Sequence, residues 1–325
     1  MDYNKETKTL TIPYKFNEEL KNIPEDTEII IFENGYIKYS TFNQKVDNLP
    51  QKLTHITFGA SFNQKVDNLP KNLTHLTFGF NFNKKVDNLP KNLIHLIFGD
   101  KFNQKVDNLS KNLIHLIFGD KFNQKVDKLP KNLNYLTFDY YFNQKIDKLP
   151  KSLIYLTFDN SFNQKVDNLS QNLTHLTFGF NFNKKVNNLP KNLNNLNLLI
   201  NFNQKVDKLP KNLIHLTFCS NFNQTVDNLP KNLTHLTFGY YFNQKANNLP
   251  KTIKYLSLIC FSDLINNIPE HIEIINIQFS NNNMINKKVE NLPPTIKEII
   301  IRNETYKRYL KIPFGCILTI KNYDN

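Results

Sequence analysis

The histidines are the first residues here whose type and spacing suggest chemistry. Seven of the eight fall at one position of a recurring pattern: His55, His75, His95, His115, His175, His215 and His235. Tyr135, Tyr155, Asn195 and Tyr255 hold the same place in other copies. Imidazoles so far apart become neighbours only if successive copies stack. Adjacent rings at strand spacing could then bridge a zinc ion, which takes three or four converging ligands. The nearby positions supply Thr57, Thr77 and Ile97, so no third ligand type stands beside the row. The sequence therefore predicts no metal and no cofactor. Two other readings of the row remain: one histidine copied by duplication, or an exposed face whose charge rises below pH ~6.5.

Other groups give less. Cys219, Cys260 and Cys316 are odd in number and far apart, with neither a disulfide framework nor a metal spacing. They read as buried free thiols in a reducing compartment. No glycine-rich phosphate loop, nucleophile elbow or Cys/His cluster occurs. Catalysis needs unlike groups converging in a pocket, and rows of like groups do not supply that, so no enzyme is expected. The net charge of +13 invites a nucleic-acid reading. Its source is two lysine rows, Lys45, Lys65, Lys85, Lys105 and Lys71, Lys91, Lys111, Lys131, against one acidic row, Asp47, Asp67, Asp87, Asp107. Arg302 and Arg308 are the only arginines, whereas base readout favours Arg. Nucleic acid or another polyanion is thus the alternative partner, and a protein the main one.

The elements that would position these rows follow from self-similarity. Phe-Asn recurs at Phe42, Phe62, Phe82, Phe102, Phe122, Phe142, Phe162, Phe182, Phe202, Phe222 and Phe242, a period of 20. The template is L-x-x-L-x-F-x-x-x-F-N-x-x-V-x-x-L-P. Leu76 and Phe78 lie two apart and share one strand face, while His75, Thr77 and Gly79 point to the other. Phe82, Val86 and Leu89 return to the same core, and Pro90 stiffens the turn. Twenty residues leave room on the outer side only for extended chain or a single 3₁₀ turn. The Asn83 row should bond neighbouring backbone and form an internal ladder.

Degenerate copies flank the array at Phe16-Asn17, at Phe261, Ile265 and Ile268-Pro269, and at Ile285-Asn286, Val289 and Leu292-Pro293. The motif Phe-Asn-x-x-Val-x-x-Leu-Pro with a downstream Leu-x-x-Leu-x-Phe resembles the FNIP repeat, over residues 16–301. That is a leucine-rich-repeat-like family best known from amoebae and the large DNA viruses that infect them. Viral members often carry an N-terminal F-box, but residues 1–15 are too short and polar for one. No ubiquitin-ligase role is therefore carried over, and the resemblance implies no activity or cofactor.

The predicted fold is a β-rich, leucine-rich-repeat-like, right-handed solenoid with one short parallel strand per unit. Its divisions are a cap and degenerate first repeat (1–32), an insertion (33–41), eleven regular repeats (42–260), two degenerate repeats (261–301) and a second cap (302–325), all in one continuous domain. Residues 91–107 and 111–127 are identical, as are 72–86 and 172–186, so sameness reports copying rather than selection. Positions where copies differ are better leads: Phe80, Tyr140, Tyr141, Phe180, Tyr240 and Tyr241, beside Asp100, Lys101, Asp120, Lys121, Asp139 and Asp159. Aromatics at a sheet edge are plausible anchors. The expected role is a monomeric scaffold presenting the His/Tyr and Thr rows to a protein partner; besides the polyanion alternative, an expanded repeat protein of no defined activity is the third reading. With no apolar run near the ~18 residues of a membrane span and a polar start, the expected location is the cytoplasm, the host's if the chain is viral.

Overall fold

The structure, a computed structural model, describes residues 1–34, 39–246, 248–259, 263–278 and 288–321. Cys260, Phe261, Ile285-Asn286 and residues 35–38 of the insertion lie outside the described residues. The chain falls into two compact units, residues 1–164 with 168–172 and residues 165–167 with 173–325. Both are parallel β-solenoids of about 20-residue coils.

The first unit opens with β1 (Asp2–Asn4), antiparallel to β2 (Thr9–Ile12), an addition that the repeat pattern did not suggest. β3 (Ile29–Phe32), β4 (His55–Thr57), β5 (His75–Thr77), β6 (His95–Ile97), β7 (His115–Ile117), β8 (Tyr135–Phe138) and β9 (Tyr155–Phe158) follow, each parallel to its neighbour. Register places His55 opposite His75, His75 opposite His95 and His115 opposite Tyr135. The second unit holds β10 (His175–Phe178), β11 (Asn195–Leu198), β12 (His215–Phe218), β13 (His235–Phe238), β14 (Tyr255–Leu258), β15 (Ile274–Ile277), β16 (Glu298–Ile301) and β17 (Ile317–Ile320). These too pair in parallel, each with the next. Short 3₁₀ helices occur at Asp263–Asn267 and Glu304–Tyr309. In the regular coils the outer side is extended chain and turns, because so short a unit cannot return through a full helix.

The core sits inside each stack. Leu73, Leu76, Phe78, Phe82, Val86 and Leu89 are buried, as are their counterparts in the other regular coils. Phe78 lies against Phe82 with ring centroids 3.6 Å apart, and Phe82 is 6.1 Å from both Phe62 and Phe102. Each ring therefore contacts its own coil and both neighbours. A lone coil would expose two of those three contacts, so stability is shared along the array.

Where the outer arc lacks strand partners, Asn side chains take their place. Asn63 N–H donates to Asn43 Oδ1 at 2.8 Å, and Asn83 N–H to Asn63 Oδ1 at 2.9 Å. A second ladder runs through the turn before the strands, with Asn92 Nδ2 donating to the Lys71 carbonyl at 3.0 Å. The expected Asn83 ladder exists, but on the solvent-reached arc rather than inside. Its function is to satisfy backbone N–H groups that no strand reaches.

Gly79 also departs from expectation. Instead of facing outward beside His75 and Thr77, it packs against the preceding coil: a Cβ there would sit 2.2 Å from the Gly59 carbonyl oxygen. Strand β5 stops at Thr77. At the equivalent Asp139 and Asp159, β8 and β9 run one residue longer and the Asp159 N–H donates to the Phe138 carbonyl at 3.0 Å. The longer strand is not set by the side chain, because β10 and β13 run as far with Gly179 and Gly239 at this place.

Candidate functional site

The outward face of the first unit carries a row of rings. His55 and His75 stack with centroids 4.0 Å apart and planes 14° apart; His75 and His95 follow at 4.4 Å and 11°. His115 tilts, 5.3 Å from His95 and edge-on to Tyr135 at 5.7 Å. Tyr135 and Tyr155 stack again at 4.6 Å. In the second unit His215, His235 and Tyr255 form a shorter run, at 4.3 and 5.2 Å. The cause is the parallel register, which sets identical positions side by side and leaves rings no room but to stack. All these rings are half-buried to exposed. His175 holds the same row position in β10.

Parallel planes bear on the zinc reading. A metal takes each imidazole lone pair in the plane of its ring, and lone pairs of parallel rings point side by side rather than converge. Among the described residues no three His, Cys, Asp or Glu side chains gather at one point.

Partial burial also moves the pH at which the row charges. His75 is pushed from 6.5 down to about 4, first by burial and then by the charges of His55 and His95. His55, His115, His175 and His235 are lowered too, by burial and then by the charge of another histidine in the row. These rings are therefore neutral near pH 7, and their charging lies below the ~6.5 expected from the residue type alone. The thiol of Cys219 is raised by burial; Cys219 and Cys316 are free and half-buried.

The hydrogen bonds at the other ring nitrogen depend on the residue just before each histidine. Thr54 Oγ1 lies 2.8 Å from His55 Nδ1, Thr74 Oγ1 2.9 Å from His75 Nδ1 and Thr234 Oγ1 2.8 Å from His235 Nδ1. Ile94, Ile114 and Ile214 precede His95, His115 and His215. His115 Nδ1 is buried with no partner.

Two edges frame this face. After the strands, Phe80, Tyr140 and Tyr141 are exposed in the first unit, and Phe180 and Tyr241 in the second. Lys101 Nζ sits 5.2 Å from the Phe80 ring and Lys121 Nζ 4.1 Å from that of Tyr141. Tyr140 packs on Tyr141 at 4.7 Å, and the less exposed Tyr240 meets Tyr241 edge-on at 4.8 Å. The Asp139 carboxyl is pushed up to about 6, by burial first and then by Asp120 and Asp159. Before the strands lies a groove of about 620 Å³ between Asn72, Asn92, Asn112, Asn132 and the row Thr74, Ile94, Ile114, Asn134. Sequence reasoning missed this groove. The signal available was the Thr/Ile/Asn variation immediately before each strand.

No helix among the described residues is long and apolar enough to cross a membrane. A comparison with curated proteins found no match. Among solved structures, CroV588, described as a novel circular LRR protein, is 34% identical over 93% of this chain, with a TM-score of 0.62. This chain spans 57% of the length of that protein. YopM from Yersinia enterocolitica WA-314 is 18% identical over 92% of this chain and 79% of its own, with a TM-score of 0.41. The family model for the FNIP Repeat matches residues 42–81, 65–101, 80–108, 102–141, 125–161, 142–170 and 222–261. With the Phe row filling the core, the Asn row bonding coil to coil on the outer arc and half of the sequence matched, the chain belongs to the FNIP repeat family.

Proposed function

We propose that this protein is a non-catalytic scaffold that binds another protein through the outward sheet face carrying the His/Tyr and Thr rows. The observation behind this reading is the aromatic row itself. Phe, Leu and Val fill the core, yet His55, His75, His95, His115, Tyr135 and Tyr155 stack in register outside it. Rings already held by their neighbours lose little freedom on binding, which favours affinity. The exposed Phe80, Tyr140 and Tyr141 extend the face at one edge and are the residue types that anchor interfaces.

The test is affinity capture with nuclease present, followed by mass spectrometry. The intact chain runs beside a variant with His75→Glu and His95→Glu, and beside a control with Lys65→Glu and Lys85→Glu on the outer arc. Circular dichroism checks that all three fold. A discrete protein retained by the intact chain and the lysine variant, and lost by the histidine variant, is the expected result. Retention by the histidine variant with loss by the lysine variant refutes it.

One observation favours a polyanion as the second reading. Lys45, Lys65, Lys85 and Lys105 are exposed, and among the described residues none of the ion pairs involves them. Capture that disappears with nuclease or moderate salt would be its signature.

A further inference from the structure

The histidine row looks uniform in sequence, but its hydrogen bonding is not. Thr54 Oγ1 lies 3.0 Å from the Glu28 carbonyl oxygen, and Thr74 Oγ1 3.1 Å from that of Thr54. A carbonyl oxygen has no proton, so each hydroxyl must donate to it. A threonine hydroxyl has one proton to give. The same oxygen touches His Nδ1 at 2.8 and 2.9 Å, so the proton in that contact belongs to Nδ1. A neutral imidazole carries a single N–H, which leaves Nε2 of His55 and His75 bare. Neither Nε2 meets a partner among the described residues. Thr234, 3.3 Å from the Ile214 carbonyl oxygen, sets His235 the same way.

His115 has the opposite arrangement. Ile114 offers no hydroxyl, and Nδ1 is buried without a partner while Nε2 is not. Either tautomer leaves Nδ1 unmet, but a buried unmet N–H is less tolerated than a buried unmet acceptor, and a proton on Nε2 can be met by water or a ligand. The favoured form therefore carries its proton outward.

We infer that the residue before each histidine sets the hydrogen-bond polarity of the face: threonine makes the outward nitrogen an acceptor at His55, His75 and His235, and isoleucine makes it a donor at His115. Resting on the reading of this face as the binding surface, the inference defines the partner's chemistry. The partner places donors, such as backbone or side-chain N–H groups, over His55 and His75, and an acceptor over His115. Ring stacking alone would accept any flat apolar surface; this pattern selects by polarity and by direction along the stack.

The groups facing the rings are few. Ile29 of β3 lies beside His55 and Tyr135 of β8 beside His115 in register, and Glu28 just before β3 is held by Lys8. The tautomers therefore follow from the local contacts rather than from a neighbouring carboxylate.

Two-bond 1H–15N correlation spectra of 15N-histidine-labelled full-length protein at neutral pH read the tautomers directly. The expected result is Nδ1–H at His55, His75 and His235, and Nε2–H at His115. Thr74→Val removes the hydroxyl at similar shape and should turn His75 to Nε2–H; Thr74→Ser should leave it unchanged; Ile114→Thr should turn His115 to Nδ1–H. Nε2–H at His75 in the natural chain, or no change in Thr74→Val, overturns the inference. This readout needs no partner, so the tautomer pattern and the binding role fail separately. For a captured protein, weaker binding to Thr74→Val than to Thr74→Ser supports the polarity match, and equal binding refutes it.

Discussion

Removing the neighbours of His75 should raise the pH at which it takes a proton, by an amount that the row's geometry sets. The ring lies 4.0 Å from His55 and 4.4 Å from His95. Two unit charges at that separation in a water-like environment repel by about 1 kcal/mol, which is about 0.7 pH unit per charged neighbour. Solvent screens the row, so the water-like value is the appropriate one. Two neighbours together account for a little over about 1 pH unit of the fall from 6.5 to about 4. Burial, the leading cause, supplies the larger part. In the double variant His55→Tyr with His95→Tyr, which copies Tyr135 and Tyr155, His75 should titrate about 1 pH unit higher than in the natural chain and still below 6.5. Histidine 1H–15N spectra across pH 3.5 to 8 follow each ring separately. In the natural chain His75 should also titrate below His55. An unchanged His75 midpoint in the double variant would show that the rings do not feel one another. A return to 6.5 would show that burial contributes nothing. Either result refutes the reasoning.

Further outcomes follow from the same geometry. Because folding lowers the His75 value, the unfolded chain takes up this proton first, so stability is full above pH 6.5 and declines as pH falls towards about 4; urea midpoints at pH 7 and 4.5 should differ in that direction, less so in His75→Tyr. Phe82→Ala removes a ring that Phe62, Phe78 and Phe102 all contact and should cost about 3–5 kcal/mol, read by chemical denaturation. Gly99→Ala would set a Cβ 2.1 Å from the Gly79 carbonyl oxygen, costing about 1–3 kcal/mol, whereas Asp139→Gly, where the strand runs longer, should cost much less. Asn63→Leu leaves the Asn83 N–H without its acceptor and should cost about 1 kcal/mol.

Much of the fold was legible in the sequence. Leu76 and Phe78, two apart, could lie on one face only in a strand, and a constant period made stacked coils the one arrangement in which every Phe-Asn meets its copies. Which residues enter the core followed from that pattern, as did the short strands and the absence of full helices from the regular coils. Gly79 and Asn83 were misplaced for a shared reason. Their surroundings come from the coil before, and one repeat written out alone does not show how closely the next backbone approaches. Close packing decides that Gly79 lies against the Gly59 carbonyl of the coil before, with no room there for a side chain.

The candidate face divides in the same way. The sequence by itself determined that His55, His75, His95 and His115 stand in one row, because period and strand parity are properties of the chain. Only the tertiary structure decided what the row is chemically. The planes of His55, His75 and His95 lie nearly parallel, so their lone pairs do not converge on a metal; burial and the charge of other histidines lower the pH at which His55, His75 and His115 take a proton. A threonine hydroxyl or an isoleucine then sets where each proton resides. Proton positions depend on distances of about 3 Å between groups a full coil apart, and those distances come into being only when the coils stack.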